Sequence, residues 1–205
     1  HMNGQTDGPP TKMPVALVDV LAAHHLKEGL LLALLNREKS HTGATVSVSL
    51  YDAAVSSLSN QASNYLMSNA IPKRMGSLHP NIAPYGEIFK TKDDADICFA
   101  VGSDKHFGVL CDFLNLKRLP KDEQYISNLS RVKNRTELAR IIQEKVSEFT
   151  ATEILDHMEE KNVPCGKIKN LREVFETKEA SDLILSEEIE GINTKRVKAA
   201  IFKWT

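Results

Sequence analysis

The segment from residue 18 to residue 35 most constrains this chain, because it is strongly apolar yet carries a carboxylate at its start. Leucine and alanine recur there at helical spacing, whereas the apolar run at residues 14 to 18 is short, like a buried strand. Asp19 therefore falls at a predicted strand-to-helix junction. The free N–H groups and positive dipole end of a helix start favour a carboxylate there. Asp19 is thus a candidate nucleophile, and a plain helix N-cap is the alternative.

Further motifs follow Asp19 in order along the chain. They are Gly29, ALLNR at residues 33 to 37, HTGATVSVSLYDA at 41 to 53, RMGSLHPNIAPYG at 74 to 86, AVGSDKHF at 100 to 107, NLSRVKNR at 128 to 135 and VPCGKI at 163 to 168. Together they resemble the family III CoA-transferases, the CaiB/BaiF superfamily that includes formyl-CoA transferase and the acyl-CoA racemases. Several motifs in one order are far more specific than any one of them.

The resemblance implies an enzyme that moves CoA between an acyl-CoA and a carboxylic acid, with Asp19 at the position of the catalytic aspartate. An aspartyl anhydride and an aspartyl-CoA thioester would be the intermediates. Coenzyme A would be a substrate, and no metal or other cofactor would be required. An acyl-CoA racemase or epimerase of the same superfamily is one alternative. A non-catalytic fragment that only dimerises is another.

Composition argues against several kinds of partner. The 26 basic and 27 acidic residues give a net charge of -1, which offers no electrostatic footprint for nucleic acid or an anionic membrane. No apolar run reaches the roughly 18 to 20 residues of a membrane span. The three cysteines lack CxxC spacing and the seven histidines lack a ligand pattern, so neither disulfides nor a metal site are predicted. These features predict a soluble, cytoplasmic enzyme.

The predicted fold class is α/β, corresponding to the C-terminal part of a family III CoA-transferase. Family members carry a larger N-terminal half with a Rossmann-like layer, and nothing in this sequence corresponds to it. Residues 1–2 read as a cloning scar. We then expect a large-domain segment with long helices at 3–68, a linker at 69–76, a small α+β domain at 77–168, and a return linker with C-terminal strands of the large domain at 169–205. The family implies homodimers. Because apolar residues between 14 and 66 would lose their cover in this chain, we expect a homodimer or higher oligomer with residues 14 to 66 contributing most of the contact.

Periodicity and capping signals predict the individual elements. Helices are expected at residues 19–37, 51–69, 104–114, 135–149, 151–161 and 171–175. Strands are expected at residues 44–50, 87–91, 96–101, 184–189 and 196–204. Thr150 and Glu153 predict a capping box at one of these helices, and Asp104 is a plausible N-cap of another.

A long irregular loop is predicted at residues 76 to 86, because Pro80 and Pro84 interrupt regular structure. By resemblance, it occupies the place where several family members set a Gly-rich lid over the aspartate. Here it carries His79, Asn81 and Tyr85, whose side chains could bind an acyl carboxylate. An equally weighted alternative is that His79 and Asn81 bond their own loop backbone.

Two residues are secondary candidates. Asp104 matches the position of a glutamate that assists proton transfer in the racemases, although capping of its helix is the simpler role. His25 lies in the first predicted helix, and we expect it to be an interior histidine rather than an acid or base. No residue is predicted to bind a metal.

Overall fold

The computed structural model describes residues 1–202, and the chain divides into two compact units, residues 1–78 and 79–205. The first unit consists of helices and irregular segments, and the second combines small antiparallel sheets with short helices. The predicted linker at residues 69–76 ends shortly before this division. The return of residues 169–205 to a large domain stays a prediction.

Helix α1, Leu17–Ser40, is the main element of the first unit. Its leucines and alanines are good helix formers, which accounts for 24 helical residues in one run. The predicted strand at residues 14 to 18 is wrong, because the chain bends at Pro14 and Val15 and is helical from Leu17 onward. Asp19 consequently lies inside the first helical turn rather than at a strand-to-helix junction.

The segment after α1 also departs from the prediction. Residues 41 to 49 form no regular element, and no strand among residues 1–202 pairs with them, so the predicted strand at 44–50 is wrong. Gly29 lets this segment approach α1, since a Cβ at that position would lie 2.7 Å from Cγ1 of Val46. The predicted helix at 51–69 is two helices, α2 (Leu50–Ser56) and α3 (Ser59–Ser68), because the backbone turns to a positive φ of 50° at Ser59.

A three-stranded antiparallel sheet opens the second unit. Strand β1 (Tyr85–Lys90) pairs with β2 (Asp96–Ala100), and β2 pairs with β3 (Cys165–Lys167). In the β1–β2 ladder Phe89 lies opposite Ile97, and both side chains are buried. The predicted hairpin is therefore confirmed to within two residues at each end. Strand β3 was not predicted, because three residues are too few to show a period.

Four helices pack with this sheet: α4 (Asp104–Phe113), α5 (Asn128–Lys133), α6 (Arg135–Val146) and α7 (Ala151–Glu160). The capping box of α7 is confirmed, since the carboxylate of Glu153 accepts the N–H of Thr150 at 2.7 Å. The predicted N-cap of α4 is wrong. Ser103 caps that helix by accepting the N–H of His106 at 3.1 Å, and Asp104 lies one residue further on.

One hydrophobic core joins the sheet to these helices. Its largest apolar members are Phe89, Phe99, Phe107, Ile97, Leu110, Leu114, Leu138, Ile142, Ile154 and Met158. Cys111 is buried in the same core, and burial raises the pKa of its thiol to about 12, so it stays protonated at neutral pH.

The described chain ends in two short helices and a hairpin. Helices α8 (Leu171–Phe175) and α9 (Lys178–Ser181) lead to β4 (Ile184–Ile189), which pairs with β5 (Ile192–Val197). The predicted strand at 196–204 begins four residues earlier than expected, because Glu190 and Gly191, both at positive φ, suffice to close the turn. Residues 203 and 204 of that predicted strand lie outside the described residues.

Candidate active site

Asp19 lies in the first turn of α1, and its side chain is exposed. Ala16 is at the N-cap position and makes no side-chain capping bond, so the helix start is not closed by a local side chain. The unpaired N–H groups and the dipole of such a helix start favour negative charge. A carboxylate there is reachable from solvent, which a carboxylate nucleophile requires.

His25 is also exposed, so the prediction of an interior histidine is wrong. The physical reason is that none of the 24 residues of α1 is buried. The Nε2 atom of His25 lies 3.4 Å from Oγ of Ser56. Six residues separate His25 from Asp19, about 9 Å of helical rise and well over a full turn of rotation. The structure does not bring these two side chains together.

The three predicted loop residues His79, Asn81 and Tyr85 do come together. The N–H of His79 donates to the carbonyl oxygen of Tyr85 at 2.9 Å, which closes the loop. The rings of His79 and Tyr85 are tilted by 56° with centroids 5.0 Å apart. The N–H of Asn81 donates to Nδ1 of His79 at 3.1 Å. The imidazole thus bonds its own loop, as the structural alternative anticipated, through one of its two nitrogens.

This contact fixes the tautomer of His79. A backbone N–H can only donate, so Nδ1 carries no proton and the ring proton of the neutral form resides on Nε2. Burial lowers the pKa of His79, and the nearby charge of Arg135 lowers it further. His79 therefore presents a neutral N–H donor of defined direction, a group suited to hydrogen bonding a carboxylate.

Arg135 holds the loop from the first turn of α6. Its Nη1 donates to the carbonyl oxygen of His79 at 2.8 Å, and its Nη2 donates to that of Ile82 at 3.2 Å. Its Nε and Nη2 both donate to Oε1 of Glu87, at 3.1 Å and 2.8 Å. The second oxygen of Glu87 accepts the N–H of Tyr85 at 2.5 Å. One ion pair therefore fixes both ends of the loop.

Arg131 supports the other side of the loop and is 1% exposed. Its Nε donates to the carbonyl oxygen of Ala83 at 2.9 Å, and its Nη1 donates to that of Tyr125 at 3.0 Å. Its Nη2 donates to Oδ1 of Asp104 at 2.6 Å, and its guanidinium lies over the ring of Phe107. Asp104 is thus the counter-ion of a buried arginine. This role differs from both roles predicted from the sequence, which were helix capping and proton transfer.

Asn128 completes the support, because its side chain accepts the N–H of Ala83 at 3.2 Å and donates to the carbonyl oxygen of Asn81 at 2.7 Å. The motif NLSRVKNR at residues 128 to 135 contains Asn128, Arg131 and Arg135, but the sequence predicted no role for these three residues. Their closeness in sequence was the available signal, although Asn128 and Arg131 lie on α5 and Arg135 begins α6. The loop they bind is distant in sequence, so the partner could not be read from the motif.

Two negative findings apply to the described part of the chain. Among residues 1–202, no group of three or more His, Cys, Asp or Glu side chains is placed to hold a metal ion. Over the same residues, no helix is both long and apolar enough to span a bilayer. The predicted cytoplasmic location stays a prediction.

Comparison with known proteins then decides the family. Residues 1–204 match the family described as CoA-transferase family III. The chain belongs to this family. It is 33% identical over 174 residues to a succinate–glutarate CoA-transferase of Agrobacterium fabrum. This alignment covers 85% of this chain and 43% of that protein. The chain is 33% identical over 175 residues to the human succinyl-CoA:glutarate CoA-transferase, in an alignment that covers 85% of this chain and 40% of that protein.

The fold agrees with this membership. A crystal structure of a CaiB/BaiF family protein from Brucella suis aligns with a TM-score of 0.67 at 32% identity, over 93% of this chain and 50% of that chain. The predicted family and α/β fold class are confirmed. The family III chain spans about half the length, or less, of each of these proteins.

We predict that the pKa of His79 lies below the ordinary histidine value of about 6.5, because burial disfavours the imidazolium form and the nearby charge of Arg135 disfavours it further. Nuclear magnetic resonance of isotope-labelled histidine over a pH series should give this pKa. The nitrogen chemical shifts at neutral pH should identify the Nε2–H tautomer. A pKa at or above about 6.5, or an Nδ1–H tautomer, would contradict the assignment.

Proposed function

We propose that this family III chain carries the catalytic aspartate of an enzyme that transfers CoA from an acyl-CoA to a carboxylic acid. The observation that carries the proposal is Asp19, an exposed carboxylate in the first turn of a 24-residue helix, within a chain that belongs to CoA-transferase family III. The activity belongs to the full-length protein, because the relatives named above extend well beyond the matched region.

The proposed reaction begins when a carboxylate oxygen of Asp19 attacks the thioester carbonyl carbon of the acyl-CoA. The C–S bond breaks, CoA leaves as a thiolate, and a mixed aspartyl anhydride forms. The thiolate then attacks the aspartyl carbonyl carbon, which releases the first acyl group as its carboxylate and leaves an aspartyl-CoA thioester. No proton or electron is lost or gained in either step.

The second half runs the same steps in reverse with a new acid. The incoming carboxylate attacks the aspartyl thioester, and CoA leaves again as a thiolate. The thiolate attacks the acyl carbonyl of the new anhydride, which yields the new acyl-CoA and frees the Asp19 carboxylate. The protein must keep water from both anhydrides and stabilise each oxyanion with N–H donors. Backbone N–H groups in the first turn of α1 are proposed for this second task.

A dicarboxylic acid is the proposed acid substrate, bound through the loop at residues 79–85. The named relatives from Agrobacterium fabrum and human act on succinate or succinyl-CoA and on glutarate, all of which carry a second carboxylate. A neutral Nε2–H donor on His79 can bond such a carboxylate, and the Tyr85 ring lies against it. Asn81 is proposed as a further contact from the same loop.

We do not favour a racemase. The relatives reported above are named CoA-transferases, and Asp104, the candidate for assisting proton transfer, is bonded to the buried Arg131. That ion pair gives Asp104 a structural role, because Asp104 is the counter-ion of a buried guanidinium. A role as a fixed anion suits it better than a role as an acid or base.

Homodimerisation through residues 14 to 66 is part of the proposal. Large apolar side chains on α1 are exposed, including Leu31 at 56% and Leu35 at 62%. The remaining exposed apolar residues of α1 are Leu17, Val20, Leu26, Leu30, Leu32 and Leu34. An apolar surface of this extent is typical of a face that packs against another polypeptide.

Replacing Asp19 by asparagine should reduce transfer by about a thousandfold or more, because an amide is a poor nucleophile of nearly the same shape. Activity of the full-length enzyme measures this, and hydroxylamine should trap the wild-type thioester as a hydroxamate at residue 19 only. Glu28→Gln, an exposed carboxylate-to-amide change on the same helix, is the matched control. Near-normal turnover of Asp19→Asn would refute the nucleophile.

Replacing His79 by alanine should raise KM for a dicarboxylic acid by about tenfold, the effect of losing one hydrogen bond to a charged group. KM for the monocarboxylic acid of equal chain length should change little, because that acid lacks the second carboxylate. Both should be measured beside a thermal melt. Unchanged kinetics with a large loss of stability would assign His79 to folding alone.

The purified chain should sediment as a dimer or larger, and Leu31→Gln with Leu35→Gln should shift it toward the monomer. Polar residues at these positions remove the apolar contribution of the proposed interface while keeping good helix propensity. Light scattering over a wide concentration range gives the mass, with Lys27→Gln plus Arg37→Gln as the control pair on the same helix. A wild-type monomer at every concentration would contradict the interface.

A further inference from the structure

The loop at residues 79–85 depends on donors from outside itself. Pro80 and Pro84 supply no N–H group, so its carbonyl oxygens outnumber its own donors. Four of these carbonyls, those of His79, Asn81, Ile82 and Ala83, accept bonds from side chains of α5 and α6. The shape of the loop is therefore set by those helices rather than by local turn chemistry.

Arg135 is the central member of this support, because it alone contacts a charged partner and two loop carbonyls at once. Its side chain is 12% exposed and that of its partner Glu87 is 7% exposed. Glu87 also accepts the N–H of Tyr85, so the ion pair joins the first residue of β1 to the backbone of His79. A guanidinium fork can make these bonds simultaneously, whereas a lysine ammonium cannot match their geometry.

We propose that Arg135, paired with Glu87, is a positioning residue that sets the orientation of His79 and Tyr85 and so determines which acid substrate is accepted. This inference rests on the proposed function of the loop. Arg135 acts through the loop backbone and not by contact with substrate. Burial, and after it the Arg135 charge, lowers the pKa of His79, which favours the neutral ring whose Nδ1 accepts the N–H of Asn81.

The matched variants separate the geometry of Arg135 from its charge. Arg135→Gln removes both the charge and the fork, whereas Arg135→Lys keeps the charge near Glu87 and loses the fork. Arg140→Gln is the control, because Arg140 lies on the same helix and pairs with the exposed Glu137 and Glu144. Its guanidinium contributes no hydrogen bond to the loop carbonyls named above.

The first readout needs no activity and uses the 205-residue chain. Hydrogen exchange at the amides of His79, Asn81, Ala83 and Tyr85, each of which is hydrogen-bonded, should accelerate about tenfold or more in both Arg135 variants. Amides of α7, on another part of the unit, should keep their protection. The pKa of His79 should rise in Arg135→Gln, which loses the positive charge, and stay low in Arg135→Lys, which keeps it.

The second readout is kinetic and uses the full-length enzyme. Arg135→Gln should raise KM for a dicarboxylic acid by about tenfold with kcat within about twofold, and Arg135→Lys should raise KM by a smaller factor. Unchanged loop exchange, an equal loss in Arg140→Gln, or unfolding of both Arg135 variants would overturn the positioning role. An inactive wild-type enzyme would instead refute the proposed function and leave the exchange result standing on its own.

Discussion

The buried pairing of Arg135 with Glu87 is the interaction on which the candidate substrate loop depends. Removing one partner of such a pair strands a charge in a poorly hydrated site, at a cost of about 3 to 5 kcal/mol. The pair is stable there because the remaining guanidinium donors bond carbonyl oxygens of a loop with fewer N–H donors than carbonyls. Arg131, on the preceding helix α5, repeats this arrangement with Asp104 as its counter-ion. Two cations and two anions therefore balance within the same small region.

The two units solve the burial problem differently. In the second unit, sheet and helices enclose phenylalanines, leucines and isoleucines in a continuous core, so its fold has an internal source of stability. In the first unit, α1 has the composition of a core helix but buries none of its 24 residues. A helix of this kind is energetically incomplete until another polypeptide surface covers it. The candidate nucleophile Asp19 lies on that incomplete element, which links the chemistry to assembly.

The sequence correctly predicted those elements that are determined by residues close together in the chain. The capping box of Thr150 and Glu153, the β1–β2 hairpin and the short helix at residues 171–175 all follow from neighbouring residues. The strand predicted at residues 44–50 failed, because a strand needs a pairing partner that the pattern cannot supply. The arginine contacts were missed for the same reason, since 48 residues separate Arg135 from Glu87. The sequence therefore predicted the loop as a candidate site, but it did not predict the distant residues that determine the shape of the loop.

The balance of charge around the loop bears on how it could recognise an acid. Because Glu87 and Asp104 offset Arg135 and Arg131, the arginines offer a second carboxylate little uncompensated charge. Discrimination then has to come from direction, and a neutral Nε2–H donor provides direction without strong long-range attraction. Such a donor favours a carboxylate that approaches along the N–H direction over one that does not. A cation without a counter-ion would bind the departing and the incoming acid alike and would slow the release of each. In a transfer reaction each acid must both enter and leave, so a weaker, directional contact suits the chemistry better.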